Sequence, residues 1–167
     1  LRNSGQDFRS TMFRDGLFHT LVEKLNTETK SYQPTIVFLN GEYWGILNMR
    51  ERYDKQFFNQ KYNIADGELD YLKNDLTPVE GDGNHYAAME TYLQNNSLLN
   101  TANYNYIKTQ LDPENIRDYY ISNIYAQSTD WPGWNTIFWR KKTTAYEPNA
   151  PFGQDGRWRN GINDMDD

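Results

Sequence analysis

Residues 35–47 read TIVFLNGEYWGIL, and this stretch decides the fold class of the first part of the chain. Two runs rich in β-branched and aromatic residues, 35–39 and 43–47, flank the pair Asn40-Gly41. Because both residues of an Asn-Gly pair accept the positive φ angles of a type I′ turn, the pattern predicts a tight antiparallel hairpin. We expect Glu51 just beyond its second strand, on the side that faces a cleft.

Helical patterns surround the predicted hairpin. Apolar residues three and four apart predict an amphipathic helix over residues 8–25, with Asp7 as its N-cap, and a shorter helix over 52–62. A short strand is expected over 70–73. The later part of the chain is predicted to form three helices and two strands, over residues 86–93, 104–111, 113–127, 136–139 and 157–163. This order of elements indicates an α+β fold.

The composition restricts the class of protein and its partners. The chain has 167 residues, 37% hydrophobic and 24% charged, which predicts one globular domain over residues 1–167. The net charge of −6 argues against nucleic acid as a partner, because binding to a phosphate backbone requires a clustered basic surface. No apolar run approaches the roughly 18 residues of a membrane span. The absence of cysteine leaves the compartment open, and an extracytoplasmic or cell-surface location is compatible with it.

A loop between a predicted helix and a predicted strand carries the strongest chemical signal. It reads TDWPGWN over residues 129–135, so Asp130 and Asn135 are five residues apart. The catalytic loop of protein kinases has this spacing: its Asp accepts the proton of the substrate hydroxyl, and its Asn binds a metal ion. Taken alone, the spacing fits a structural turn at least as well, because Asp and Asn are common beside a Pro-Gly corner.

A second acidic element, Asp164-Met165-Asp166-Asp167, closes the chain. In an extended segment, residues two apart point the same way, so Asp164 and Asp166 could share a hard cation such as Mg²⁺. The alternative is a solvated acidic run. Kinases place a metal-binding Asp after the catalytic loop and a following strand, and this order favours the metal-binding interpretation.

Several segments together resemble the CotH family of spore-coat kinases, and the resemblance runs nearly end to end. The segments are residues 1–7, 12–15, 38–45, 51, 130–135 and 164–166. The resemblance implies an atypical protein-kinase-like, two-lobed core, with residues 1–75 as an N-lobe-like part and 76–167 as a mainly helical C-lobe-like part. It also implies an enzyme that binds ATP with Mg²⁺ or Mn²⁺ and phosphorylates protein substrates with Ser-rich segments.

The resemblance also implies roles for individual residues. Asp130 would be the catalytic carboxylate and Asn135 a metal ligand. Asp164 or Asp166 would correspond to the metal-binding Asp of ordinary kinases, and the sequence does not choose between them.

The nucleotide contacts implied by the resemblance lie in the first part of the chain. Arg2 or Arg14 would contact phosphate, Asp15 or Glu51 would orient it, and residues 49–51 would resemble the hinge beside adenine. The chain has no Gly-x-Gly-x-x-Gly loop and no Walker motif, so other residues must contact the phosphates. Because the chain starts without Met and stops on an acidic run, we expect a core truncated at both ends.

Two alternatives stay open at this stage. One is a carbohydrate-binding or carbohydrate-active module, in which five tryptophans stack on sugar rings and Asp130 with Asp164 acts as an acid and base pair. These tryptophans are Trp44, Trp131, Trp134, Trp139 and Trp158. The other is a catalytically inactive scaffold that keeps a kinase-like shape.

The two histidines of the chain do not predict a metal site. His19 and His85 lack the spacing that metal-binding histidines have.

Overall fold

A computed structural model of the chain describes residues 1–166, and Asp167 lies outside the described residues. A 3₁₀ helix, Gly5–Arg9, precedes five α-helices: α1 (Arg14–Leu21), α2 (Lys55–Tyr62), α3 (Asn84–Asn95), α4 (Thr101–Ile107) and α5 (Pro113–Ala126). The strands are β1 (Tyr32–Leu39), β2 (Glu42–Arg50), β3 (Leu69–Lys73), β4 (Thr77–Glu80), β5 (Ile137–Lys141) and β6 (Arg159–Asn160). They form two antiparallel sheets, so the predicted α+β class is confirmed.

The predicted hairpin is confirmed. Strands β1 and β2 pair antiparallel, with Leu39 opposite Glu42, so Asn40 and Gly41 form the turn. Their φ angles are 51° and 85°, both in the left-handed region that Asn and Gly tolerate. The hairpin is long enough to carry β2 from an exposed tip down to Arg50, where the candidate site begins.

The predicted helix over 8–25 has the wrong bounds. The Asp7 carboxylate accepts hydrogen bonds from Thr11 N (2.9 Å), Thr11 Oγ1 (2.6 Å) and Arg14 N (2.9 Å), so it closes a loop in front of α1. Asp7 therefore does not cap a helix at residue 8. α1 itself covers only Arg14–Leu21.

The apolar residues between positions 8 and 25 were expected to face the core, and most of them do not. The exposed ones are Phe8, Phe13, Leu17, Leu21 and Leu25. The residues that α1 buries are Asp15, Gly16 and His19. The helix presents polar groups to the interior because Asp15 contacts Arg2, Arg50 and the backbone N–H of Met165 there.

The second sheet has the order β4-β3-β5-β6 and holds the aromatic core. Phe58 of α2 packs against Tyr71 of β3 and Trp139 of β5, with ring centroids 5.6 and 4.8 Å away. Because β3 pairs with β5, this sheet joins the parts of the chain before and after residue 75. The last strand is shorter than the predicted 157–163 and covers two residues, Arg159–Asn160.

Helix α5 begins where the sequence predicts. The Asp112 carboxylate accepts hydrogen bonds from Glu114 N and Asn115 N, and Pro113 occupies the first helical position. The helix ends at Ala126, and the loop that follows carries Asp130 to the start of β5. None of the helices within residues 1–166 is long and apolar enough to cross a membrane.

Candidate active site

The loop after α5 brings Asp130 and Asn135 together. Asn135 Nδ2 lies 3.4 Å from Asp130 Oδ2 and 3.5 Å from the backbone oxygen of Asp164. Asn135 has a φ of 59°, in the left-handed region that Asn adopts more readily than most residues. The backbone of this loop therefore holds the amide between the Asp130 carboxylate and the closing acidic segment.

The acidic segment is anchored by the methionine at its centre. Met165 is buried against Val22, Tyr119 and Ile162. Asp164 has a φ of 53°, so the segment is not extended at this residue and that prediction is wrong. Its carboxylates still meet at one point, because Asp164 Oδ1 and Asp166 Oδ2 both contact the Nη2 atom of Arg2, the second at 2.8 Å.

A buried carboxylate on α1, Asp15, extends this ionic network. Asp15 Oδ2 contacts Arg2 Nη1 at 3.0 Å and also pairs with Arg50 Nη1. Asp15 Oδ1 accepts a hydrogen bond from Met165 N at 2.9 Å. Asp15 therefore ties together the start of the chain, the end of β2 and the acidic segment.

His19 connects this network to Lys30. His19 Nδ1 accepts a hydrogen bond from Lys30 N at 3.0 Å, so the neutral ring carries its proton on Nε2, which lies 3.5 Å from Asp15 Oδ1. Burial lowers the pKa of His19 well below its usual value, and the positive charges of Lys30 and Arg2 lower it further. His19 is therefore a neutral hydrogen-bonding residue of the interior.

A basic pocket of about 400 Å³ adjoins the network. Five of its lining residues are cationic and one is acidic; the lining comprises Leu1, Arg2, Lys30, Arg50, Glu51, Arg52, Tyr53, Lys73 and Asn163. This is a marked concentration of positive charge in a chain whose net charge is −6. The pocket is therefore suited to an anion with several negative charges.

Burial and mutual repulsion lower the pKa values of three basic residues of the pocket. Burial lowers the pKa of Lys30 to about 8, and repulsion from Arg2 adds to this effect. Burial also lowers the pKa values of Arg50 and Lys73, with further repulsion from Arg2 and Arg52 respectively. The Arg50 side chain is only 6% exposed, and its Nε and Nη2 atoms have no hydrogen-bond partner among the described residues. These two atoms are buried, so Arg50 contributes positive charge to the pocket wall.

One family model covers the whole chain. The CotH kinase protein family matches residues 1–167. The chain belongs to this family. No curated protein and no solved structure matches it. Membership of the CotH family implies a kinase-like fold, suggests a kinase-like function and implies ATP as the nucleotide.

The three residues predicted to bind nucleotide in the CotH-like site lie in different surroundings. Arg2 lines the basic pocket and also contacts the acidic segment. Glu51 is exposed at the pocket, where its Oε2 accepts a hydrogen bond from Ser31 N at 2.7 Å. Arg14 is the first residue of α1, is exposed and is not part of the pocket lining. Their roles toward a nucleotide stay predictions.

Most residues of the pocket were not predicted from the sequence. Lys30, Arg52 and Lys73 had no predicted role, and Arg50 was predicted only as part of a hinge-like segment. No motif marks Lys30, which lies in a polar connection between α1 and β1. Only the tertiary structure brings Lys30 to the pocket. Its Nζ donates a hydrogen bond to Asn163 Oδ1 at 3.0 Å and lies 5.0 Å from the centre of the Tyr53 ring.

The tryptophans do not form the sugar-binding surface that the carbohydrate alternative requires. Trp139 and Trp158 are each 1% exposed and belong to the core, so their expected stacking on sugar rings is wrong. Trp131 packs against tyrosine rings of α5. Trp44 and Trp134 are exposed, one on the hairpin and one in the loop after Asp130.

Within residues 1–166, no group of three or more His, Cys, Asp or Glu side chains is arranged to hold a metal ion. The candidate donors nevertheless have the right chemistry for Mg²⁺ or Mn²⁺, because Asp130, Asn135, Asp164 and Asp166 offer only oxygen ligands. The contact of Asp164 and Asp166 with one guanidinium also shows that their charge is compensated by a cation at this point.

Proposed function

We propose that this chain is an ATP-dependent protein kinase that transfers the γ-phosphoryl group to a Ser hydroxyl of a protein with Ser-rich segments. The supporting observation is the basic pocket and its direct connection to the predicted catalytic loop. Arg2 lines the pocket and contacts Asp164, and the backbone oxygen of Asp164 lies 3.5 Å from Asn135 Nδ2. Arg2, Asp164 and Asn135 thus form a chain of contacts between the pocket and Asp130, the group that would receive the acceptor proton.

The proposal gives the basic residues the task of binding the nucleotide phosphates. Lys30 and Arg50 are fixed by Asn163 and Asp15 on one side and line the pocket on the other. A guanidinium or ammonium group that is held in place before binding loses little entropy on contact with phosphate. Arg52 and Lys73 add positive charge at the same pocket.

Asp130 is proposed to bind the acceptor. Its carboxylate would accept a hydrogen bond from the substrate hydroxyl, whose oxygen forms the new bond to the γ-phosphorus while the bond to the β,γ-bridging oxygen breaks. The proton passes to Asp130, and ADP leaves with the bridging oxygen. Asn135, 3.4 Å from Asp130 Oδ2, would orient this carboxylate.

A divalent cation fits the oxygen donors beside Asp130. Asn135, Asp164 and Asp166 would hold it, and a bound Mg²⁺ or Mn²⁺ supplies charge neutralisation for the phosphate oxygens.

The proposal also includes a division of the chain into two parts. Residues 1–75 would form an N-lobe-like part and residues 76–167 a C-lobe-like part. The boundary falls in the turn between β3 and β4.

Binding of ATP tests the proposal directly. ATP with Mg²⁺ should raise the melting temperature, since a ligand at about a hundredfold above its Kd stabilises the native state by about 2.7 kcal/mol. Lys30→Met should reduce this shift. Lys55→Met is the matched control, because Lys55 lies on α2 and pairs with Asp66 outside the pocket. Stabilisation by a panel of sugars but not by ATP would instead support the carbohydrate alternative.

The affinity for ATP is also expected to depend on pH. The pKa of Lys30 in the free protein is lowered to about 8, and nearby phosphate would raise it by favouring the charged form. Binding should therefore be strongest below about pH 8 and weaken by up to about tenfold per pH unit above it. Titrations from pH 7 to pH 10 by calorimetry would measure this. Lys30→Arg should remove most of this dependence, because Arg stays charged; an unchanged profile would exclude Lys30.

A further inference from the structure

Arg2 occupies the point where the acidic segment needs a cation. Its Nη2 atom contacts Asp164 Oδ1 and lies 2.8 Å from Asp166 Oδ2, and its Nη1 atom lies 3.0 Å from Asp15 Oδ2. One guanidinium thus contacts three carboxylates from two segments. Two of these carboxylates are the candidate metal ligands.

The backbone holds both partners of this contact in place. Arg2 pairs with Asn48 of β2 through two hydrogen bonds, Arg2 N to Asn48 O at 2.8 Å and Asn48 N to Arg2 O at 2.7 Å. On the other side, Asp166 packs against Gly5, whose φ is 59°. A Cβ atom at Gly5 would lie 1.9 Å from Asp166 Oδ2. The missing side chain at Gly5 therefore gives the Asp166 carboxylate the space from which it reaches Arg2.

A guanidinium that contacts Asp164 Oδ1 and Asp166 Oδ2 weakens the binding of a divalent cation by the same two carboxylates. The guanidinium binds them by hydrogen bonds at about 2.8 Å, whereas Mg²⁺ requires oxygens at about 2.0–2.1 Å and repels a second positive charge beside it. Metal binding by Asp164 and Asp166 should consequently be tighter once Arg2 Nη2 moves away. The Arg2 side chain is 33% exposed and also lines the basic pocket, so it has a place to move to.

We propose that Arg2 is an internal substitute for the metal ion and makes metal binding dependent on nucleotide. Without nucleotide, Arg2 neutralises Asp164 and Asp166 and competes with the divalent cation. Phosphates in the pocket offer Arg2 new acceptors, so it turns toward them and releases the two carboxylates. This inference rests on the proposed function, because it takes the ligand of the pocket to be a nucleotide.

Titration of Mn²⁺ without nucleotide, followed by electron paramagnetic resonance, tests the competition. Arg2→Gln should bind Mn²⁺ roughly tenfold more tightly than the native chain, because the competing charge is gone. Arg52→Gln is the matched control: it removes a cation from the same pocket, but Arg52 has no ion pair with Asp164 or Asp166 among the described residues. Its Mn²⁺ affinity should change by less than about threefold.

The same titration with a non-hydrolysable ATP analogue tests the coupling to nucleotide. The analogue should strengthen Mn²⁺ binding by the native chain more than by Arg2→Gln, because the variant has no guanidinium to displace. If Arg2→Gln proves poorly folded, Arg2→Lys serves instead, with an intermediate gain in Mn²⁺ affinity expected, since Lys cannot contact three carboxylates in the same way.

Two outcomes would separate this inference from the proposed function. Equal or weaker Mn²⁺ binding by a folded Arg2→Gln variant would overturn the competition, even if the native chain binds ATP. Tighter Mn²⁺ binding by Arg2→Gln, together with no binding of any nucleotide by the native chain, would leave the competition standing but overturn both the nucleotide coupling and the kinase proposal.

Discussion

Asp130→Asn is expected to lower phosphoryl transfer by about 10²–10⁴-fold and to leave ATP binding nearly unchanged. Asn has the shape of Asp but cannot accept the proton of the attacking hydroxyl. ATP binding should survive because the basic residues that line the pocket lie on other segments. The loss should therefore appear in kcat, with little change in the ATP concentration that gives half-maximal rate.

The measurement is transfer of radiolabelled phosphate from ATP to a Ser-rich acceptor protein. Asp66→Asn is the matched control, because Asp66 is an exposed carboxylate whose contact is with Lys55 on α2. Full activity of Asp130→Asn would remove this residue from the mechanism. ATP binding without any transfer by the native chain would favour the inactive scaffold.

Asp164→Asn and Asp166→Asn should lower ATP affinity in the presence of Mg²⁺ and turnover together, with a fall in kcat/KM of at least about 10²-fold. Each change removes a negative charge from the proposed metal site. Asn is the appropriate replacement at position 164, where φ is 53°, since Asn tolerates this conformation and Ala does not. A loss in Asp164→Asn can then be assigned to charge rather than to backbone strain.

The dependence of activity on Mg²⁺ concentration distinguishes this effect from that of Asp130. Higher Mg²⁺ should partly restore the Asp164 and Asp166 variants, because the weakened step is metal binding, and should not restore Asp130→Asn. Asp75→Asn provides a control in the turn between β3 and β4, where Asp75 accepts a hydrogen bond from Thr77 Oγ1. Variants of Asp164 and Asp166 with native ATP affinity and native Mg²⁺ dependence would exclude them as ligands.

Elements with strong local signals were predicted well. The Asn40-Gly41 turn and the Asp112-Pro113 start of α5 depend on the conformations and hydrogen bonds of neighbouring residues, so their chemistry is visible in a short window. The five-residue spacing of Asp130 and Asn135 is local in the same sense, and the structure places the two side chains 3.4 Å apart.

Elements that depend on distant partners were predicted poorly. The periodic apolar residues between 8 and 25 suggested a buried stripe, yet α1 turns Asp15 and His19 inward because Arg2, Arg50 and Met165 N contact Asp15 there. Helical periodicity describes the spacing of apolar residues and not which face is covered. The shortened β6 likewise depends on its pairing with β5.

The amino-acid sequence by itself determined the α+β class, the hairpin, the helix that leads to Asp130, and the resemblance to the CotH family that the match over residues 1–167 bears out. The tertiary structure decided where charge is concentrated. Arg2 meets Asp164 and Asp166 across 162 and 164 residues of chain, and Lys30 meets Asn163 across 133. The physical reason is that turns and caps arise from bonds between near neighbours. A basic pocket beside an acidic segment exists only once the buried Met165 and the pairing of Arg2 with β2 bring the two ends of the chain together.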